Sequence, residues 1–316
     1  MTPDDYARLK QKLEDAIIQR GPGVRVAIVG WSTVALDLAV LPAFTTGAAR
    51  LVGLFAPQPG GAVHQLEDLK ESPCDVLVIA EDAGKEELLE AVAPIVSPLT
   101  NILIGGYEHL GFKDAIFDSV RRDALVPSLA NGYPHSLIHI YQCLQNAYRR
   151  GLQGVVAEFG VFKGGTTMLI SRFIEEIGAD WKVYGFDTFN GFPPRRSALD
   201  MYAHPDCVFL DGDLVRAMFA GRNVEIVEGD VVETVSRLSA ENLVLSFVDT
   251  DNYTSGRAII RVIAERTEVG GAIIFDHWTG QNRFIDTIGE RIAAKALAAD
   301  SRYFNLHGTG VFLRQQ

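Results

Sequence analysis

The stretch from Val155 to Pro193 constrains the fold more than any other part of the chain. It reads VVAEFGVFKGGTTMLISRFIEEIGADWKVYGFDTFNGFP: an apolar run ending in Glu158, a glycine-bearing loop, a helical segment, a second apolar run, and Asp187. Short apolar runs separated by a helix predict buried parallel strands joined by a crossover. The order sets a carboxylate at each strand tip with a tight turn between them. A parallel sheet binds adenosine-containing ligands at such an edge.

The same alternation recurs on both sides of this stretch. Residues 2–19 carry Tyr6, Leu9, Leu13 and Ile17 at helical spacing, and Gly21-Pro22-Gly23 breaks that helix. VRVAIVG (24–30), RLVGLFAP (50–57), CDVLVIAED (74–82) and NILIGG (101–106) read as strands, with helices expected over 33–47 and 84–93. Pro127, Asn131-Gly132 and Pro134 mark a junction. Then HSLIHIYQCLQNAYRR predicts a helix, and VVAEF, KVYGF, VEIVEG, LVLSFVD and GAIIFD predict five strands. The tail 302–316 reads as a hairpin turning around Gly308 and Gly310. The expected architecture is α/β: a lead-in helix (1–21), a small Rossmann-like α/β domain (22–125), and a third region (126–316). This last region has the layout of a class I methyltransferase Rossmann-like sheet, parallel with a C-terminal antiparallel hairpin.

Composition removes several function classes. A net charge of −11 over 316 residues argues against an extended nucleic-acid footprint. The opening MTPDDYARLKQKLEDAIIQR is acidic and lacks the apolar core of a signal peptide. No apolar run approaches the roughly 20 residues that span a bilayer. Cys74, Cys143 and Cys207 are far apart and lack CxxC spacing, so buried thiols are expected rather than a disulfide or zinc framework. A cytoplasmic protein without membrane partners is expected.

In the loop Glu158-Phe-Gly-Val-Phe-Lys-Gly-Gly165, Gly160 permits a sharp turn at the strand tip. Gly164 and Gly165 let the Phe162-Lys163 backbone approach a ligand, and Thr166 opens the next helix. The freed N–H groups suit a carboxylate as well as a phosphate. Neither GxGxxG nor the GK[ST] ending of a P-loop is present. Asp187, followed by Thr188, is placed to accept from ribose hydroxyls, and Gly229-Asp230 lies where an adenine would rest. Amino-acid carboxylate, ribose and adenine together describe S-adenosylmethionine (SAM). The bland alternative is an ordinary turn with capping acids.

EFGVFKGGTT, FDTFNGFPP, FVDTDNYTSGRAII, VGGAIIFDHW and HGTGVFLR occur in that order, and together they resemble the macrocin O-methyltransferase family over roughly residues 130–316. The resemblance implies a SAM-dependent enzyme that methylates hydroxyls of sugars or natural-product scaffolds. It implies Mg²⁺ held by Asp249 after the fourth strand and by an Asp-Asp pair after the fifth, here Asp276 and His277. His277 departs from the pattern, and magnesium prefers oxygen ligands. Three readings of it stand open: ligand of another metal, the base that takes the hydroxyl proton, or a structural histidine. Asp251 is read as a loop acid capping the helix near Thr254 rather than as a further ligand.

Candidate substrate contacts follow from position. His135 and His139 share one helical face in the helix that in the family helps cover the site; capping, proton acceptance and metal binding are all open for them. Arg195 and Arg196 sit in a long irregular loop with Tyr202 and are read either as a grip on an anionic acceptor or as a solvated turn. Trp278 is read as a pocket wall or as packing. In the first α/β region, Gly30 stands alone before Trp31, and no acid follows Leu54-Phe55-Ala56-Pro57, which argues against intact NAD. Dimerisation or substrate gating is expected of that region, within a homo-oligomer. The reading is a SAM-dependent O-methyltransferase of a small hydroxylated metabolite, possible metal assistance included. Its alternatives are an N-methyltransferase, a nicotinamide-dependent oxidoreductase and a non-catalytic SAM-binding module.

Overall fold

In a computed structural model of the chain, residues 1–58, 60–132, 135–279 and 285–316 are described; Pro134 of the expected junction lies outside them. Two compact units result, Met1–Phe112 and Lys113–Gln316.

The first unit runs α1 (Pro3–Arg20), β1 (Val24–Val29), α2 (Thr33–Ala39), α3 (Pro42–Thr45), β2 (Ala49–Ala56), β3 (His64–Gln65), β4 (Val76–Ile79), α4 (Lys85–Val92) and β5 (Asn101–Ile104). Its five strands lie in the order β3-β2-β1-β4-β5, all parallel. The helix expected over 33–47 is interrupted at Leu41-Pro42, where proline can begin a helix but not continue one. The lead-in helix forms because Thr2 caps it, accepting from Asp5 N–H at 3.2 Å, and because Leu9, Leu13 and Ile17 make one buried stripe.

The second unit runs α5 (Ala115–Arg122), α6 (Ser136–Arg149), β6 (Val155–Phe159), α7 (Gly165–Ile177), β7 (Lys182–Asp187), α8 (Gly212–Met218), β8 (Val224–Glu228), α9 (Val231–Thr234), β9 (Leu243–Val248), α10 (Tyr253–Arg266), β10 (Thr267–Phe275), α11 (Ile288–Ala298), β11 (Tyr303–Asn305) and β12 (Val311–Arg314). Helix α5 lies N-terminal to the junction expected at 125/126. Its Phe117 stacks on Phe173 of α7 at 5.5 Å, and its capping Asp114 accepts from Tyr141 of α6 at 2.7 Å. Those contacts tie residues 113–125 to the second unit.

The seven strands lie in the order β11-β12-β10-β9-β6-β7-β8, parallel except where β12 runs antiparallel to β10 and β11. This is the class I methyltransferase sheet, with the expected terminal hairpin. Strands β6 and β9 are buried along their whole length, so each reads as a near-continuous apolar run broken only by Glu158 and Ser246. Each buried valine, leucine or phenylalanine contributes about 1.5–3 kcal/mol. The chain leaves β6 for β7 on one side and returns to β9 on the other, which opens a crevice at the carboxyl edge. Register aligns the tips there: Phe159 pairs with Phe186 and Val248, and Val248 with Phe275. Gly160, Asp187, Asp249 and Asp276 therefore emerge from neighbouring strand ends.

Candidate active site

A cavity of about 670 Å³ opens at this edge. The glycine loop supplies one wall through Gly160, Phe162, Lys163, Gly165 and Thr166, with Asp187, Thr188 and Gly229 beyond it. Asp249, Asp251, His277 and Tyr202 line it as well. Helix α7 begins where it does because Gly164 takes a left-handed conformation (φ 81°) and Gly165 has no side chain. A Cβ on Gly165 would stand 2.2 Å from the carbonyl oxygen of Pro127, and one on Gly160 would stand 2.1 Å from that of Asp249. Both positions require glycine.

Segment 126–131 closes over the head of α7. Val126, Pro127, Leu129, Ala130 and Asn131 all line the cavity, and the Ser128 hydroxyl meets that of Thr166 at 2.7 Å. The sequence reading saw only turn markers in this segment.

The two strand-tip acids act differently. Glu158 is fully buried under the loop, where Thr167 Oγ1 donates to its Oε2, and its Oε1 has no partner. Burial pushes this carboxyl well above its ordinary range, reinforced by the negative charges of Asp249 and Asp187. Asp187 accepts from the backbone N–H of Phe162 at 2.7 Å and of Phe189 at 2.8 Å. Burial raises its pKa, and those N–H groups oppose the rise. Because a carboxylate has about four acceptor positions, Asp187 retains capacity toward the cavity. The Phe162 bond pins that residue in a left-handed conformation (φ 51°), which shapes the loop. Lys163 rests over the rings of Phe162 and Phe209 at 5.0 and 5.7 Å.

Asp230 does not join the cavity wall; it caps α9, accepting from Val232 N–H, and pairs with Arg196 at 2.6 Å. Arg195 donates to the carbonyl of Ala198 at 3.2 Å. The loop bearing both arginines is fastened by Asp200. Asp200 accepts from the N–H groups of Arg196 and Ser197 and from both the N–H and hydroxyl of Thr254. Tyr202 does reach the cavity, together with His204, Asp206 and Cys207. Burial raises the Tyr202 phenol to about 12, aided by the Asp251 charge.

His135 and His139 do not line the cavity. His135 caps α6, its Nδ1 accepting from Ile138 N–H at 3.4 Å, and burial lowers the pKa of both imidazoles. Trp278 packs edge-on to Phe312 at 5.0 Å under the Arg291 guanidinium, so it is core rather than pocket wall.

The tips of β9 and β10 meet at His277. Its Nε2 lies 2.8 Å from Asp251 Oδ1 and 3.1 Å from Asp249 Oδ1. Asp276 stands farther off, its Oδ2 3.8 Å from the same Nε2. Its carboxylate is wholly buried and accepts from Gly132 N–H at 2.8 Å, Asn131 N–H at 3.1 Å and Ser136 Oγ at 2.6 Å. It therefore anchors segment 126–132. Asp251 caps nothing: Thr254 N–H goes to Asp200, and Asp251 sits at φ 62° with its carboxylate turned to His277. Beneath it Glu290, fully buried on α11, accepts from the N–H groups of Thr250 and Asp251, each at 2.8 Å. Among the described residues its Oε1 has no hydrogen-bond partner.

Burial alone would lower the His277 pKa, but bonds to Asp249 and Asp251 outweigh it and raise the imidazole. Burial raises Asp249, lifts Asp276 to about 6 and lifts Glu290 to about 8. The cradle thus holds more carboxylates than cations, and donor atoms of Asp249, Asp251 and His277 all lie within 4.8 Å of one another. Neighbouring ligands on an octahedral ion with ~2.1 Å bonds stand about 3 Å apart, so this spacing fits a divalent cation. The glycine-walled cavity and Asp187 likewise fit an amino-acid nucleoside.

Glu290 escaped the sequence reading, although a signal existed. It shares the buried face of α11 with Ala293, Ala294 and Leu297, and an acid on a core-facing stripe needs an explanation.

The profile of the Macrocin-O-methyltransferase (TylF) family matches residues 126–315. Mycinamicin III 3''-O-methyltransferase from Micromonospora griseorubida is 24% identical over 157 residues, which cover 45% of this chain and 62% of that protein. Among solved structures, the O-methyltransferase NovP is 19% identical with a TM-score of 0.48, covering 57% of this chain and 79% of NovP. The calicheamicin methyltransferase CalS11 is 21% identical with a TM-score of 0.44, covering 66% of this chain and 97% of CalS11. No helix among the described residues is long and apolar enough to cross a membrane.

Proposed function

The chain belongs to the Macrocin-O-methyltransferase (TylF) family, and from that premise we propose that it transfers a methyl group from SAM to a hydroxyl of a small metabolite, a sugar or natural-product scaffold. One observation carries the reading: a single cavity is bounded by the glycine loop with Asp187 and also by the Asp249–Asp251–His277 cluster. Donor recognition and proton handling thus share one enclosure.

The Gly160–Gly165 backbone and the head of α7 receive the amino-acid end of the donor, and Asp187 accepts from the ribose hydroxyls. Gly229 and Val231 border the adenine end. When bound, SAM supplies an electrophilic methyl on sulfonium: the acceptor oxygen forms the new C–O bond, the S–CH₃ bond breaks, and S-adenosylhomocysteine (SAH) leaves. Segment 126–131 excludes water and holds the acceptor near attack distance, about 3–3.5 Å. The hydroxyl proton passes to a carboxylate of the Asp249/Asp251 pair, and His277 keeps both carboxylates oriented through Nε2. The same three residues would hold a divalent cation, which lowers the pKa of a hydroxyl bound to it.

The reading is tested by supplying isotopically labelled SAM with a panel of deoxysugar glycosides and other polyols, followed by mass spectrometry. Label on an acceptor oxygen is expected, and Asp251→Asn is expected to reduce it strongly. Label on nitrogen alone, or SAM bound but never turned over, would replace this reading with one of its rivals.

A further inference from the structure

Family resemblance leads to an expectation of magnesium held by Asp249, Asp276 and His277, with His277 the departure from the pattern. The side chains point to a different donor set and a different ion. Three hydrogen-bond donors from segment 131–136 already engage the Asp276 carboxylate, which is wholly buried. The cavity-lining donors that converge are Asp249, Asp251 and His277, with Nε2 at 3.1 and 2.8 Å from the two carboxylate oxygens. We propose that these three residues form a two-carboxylate, one-imidazole site that takes a first-row transition ion of the cobalt, nickel and zinc class in preference to magnesium.

Donor chemistry sets the preference. Magnesium demands oxygen ligands and dehydrates reluctantly, whereas an imidazole nitrogen favours the later divalent ions. Three protein donors facing an open cavity are the arrangement of a catalytic ion with room for substrate oxygens.

The support beneath the donors is built for the purpose. Glu290 accepts the N–H groups of Thr250 and Asp251 and so holds Asp251 in its left-handed conformation, which turns that carboxylate toward His277. Glu290 lies wholly buried below a cluster in which two aspartates face one imidazole. A cation offsets that surplus. The role of such an ion in methyl transfer rests on the function proposed above; its uptake does not.

The test uses the full-length protein stripped with a chelator and titrated separately with Co²⁺, Zn²⁺ and Mg²⁺. Calorimetry gives affinity, the visible spectrum of Co²⁺ reports its ligands, and SAH binding is measured in parallel. Co²⁺ and Zn²⁺ are expected to bind at least about tenfold more tightly than Mg²⁺. His277→Asp should bring the affinities together and change the Co²⁺ bands. Asp251→Asn should weaken Co²⁺ by about tenfold or more, and Asp276→Asn by less than about threefold. Retained SAH binding identifies a folded variant. Magnesium bound as tightly as cobalt, or unaltered Co²⁺ bands in His277→Asp, overturns the proposal. So does an Asp276→Asn variant that binds SAH yet loses cobalt as badly as Asp251→Asn. Predicted ion selectivity without any SAH binding would instead leave the ion site standing and overturn the methyl-transfer reading.

Discussion

Asp276 accepts a 2.6 Å hydrogen bond from the hydroxyl of Ser136, which ties the tip of β10 to the head of α6. The same oxygen accepts from Gly132 and Asn131, so the tip of β10 holds down the segment that covers the cavity. Asp276→Ala strands these buried donors. An unsatisfied buried group costs about 1–3 kcal/mol, and a loss of about 2–4 kcal/mol is expected in urea denaturation. SAH affinity should fall as well, because the cover is released.

Gly165→Ala tests the other edge of that cover. Alanine suits a helix start, yet its Cβ would collide with the Pro127 carbonyl at 2.2 Å. SAH affinity is expected to drop by about tenfold or more, roughly 1.4 kcal/mol, in calorimetry. Thermal stability should change far less. Equal affinity in the variant would mean that segment 126–131 does not sit against the glycine loop when ligand binds.

Most of the scaffold could be read directly from the residues. Runs such as VVAEF and LVLSFV are apolar apart from Glu158 and Ser246 because both faces of the sheet are covered, and the hairpin glycines mark the tail. The donor loop was legible because backbone geometry demands glycine at fixed places. The Asp249–Asp251–His277 cluster was legible only in part. Asp251, expected as a cap, meets His277, and the Asp276 carboxylate takes donors from segment 131–136; spacing along the chain does not report which way a side chain at a strand tip turns. Segment 126–131 was hidden for a related reason: its backbone and short side chains define the cavity cover, with no diagnostic residue type. Glu290 acts across some forty positions of sequence, through two backbone N–H groups that no motif records.

Glu290→Ala separates positioning from binding. It leaves the N–H groups of Thr250 and Asp251 without their acceptor and frees Asp251 from φ 62°. A fall in kcat of about tenfold or more is expected, with SAH affinity within about threefold of wild type. Glu290→Gln keeps one acceptor oxygen and should recover part of the rate. Loss of SAH binding in both variants would assign Glu290 to general stability instead.

The first unit carries a pH signature of its own. Asp75 accepts three hydrogen bonds from Arg25, one from its backbone and two from its guanidinium, and these bonds lower its carboxyl to about 2. An unfolded aspartate titrates near ~3.9. The folded value is the lower one, so this contribution is complete above about pH 4 and is lost as pH falls toward about 2. Both side chains are partly exposed, which limits it to about 1 kcal/mol or less. Denaturation of wild type and Asp75→Asn should differ at pH 6 and converge by about pH 2; a gap that stays constant over that interval contradicts the assignment.

Calorimetric titration of the wild-type protein and of Asp187→Ala with SAH tests the donor site most directly. A single saturable site with micromolar affinity is expected in the wild type, weakened by about tenfold or more when the ribose-facing carboxylate is removed. Absence of any heat at millimolar SAH, or equal binding by the two proteins, would contradict the account.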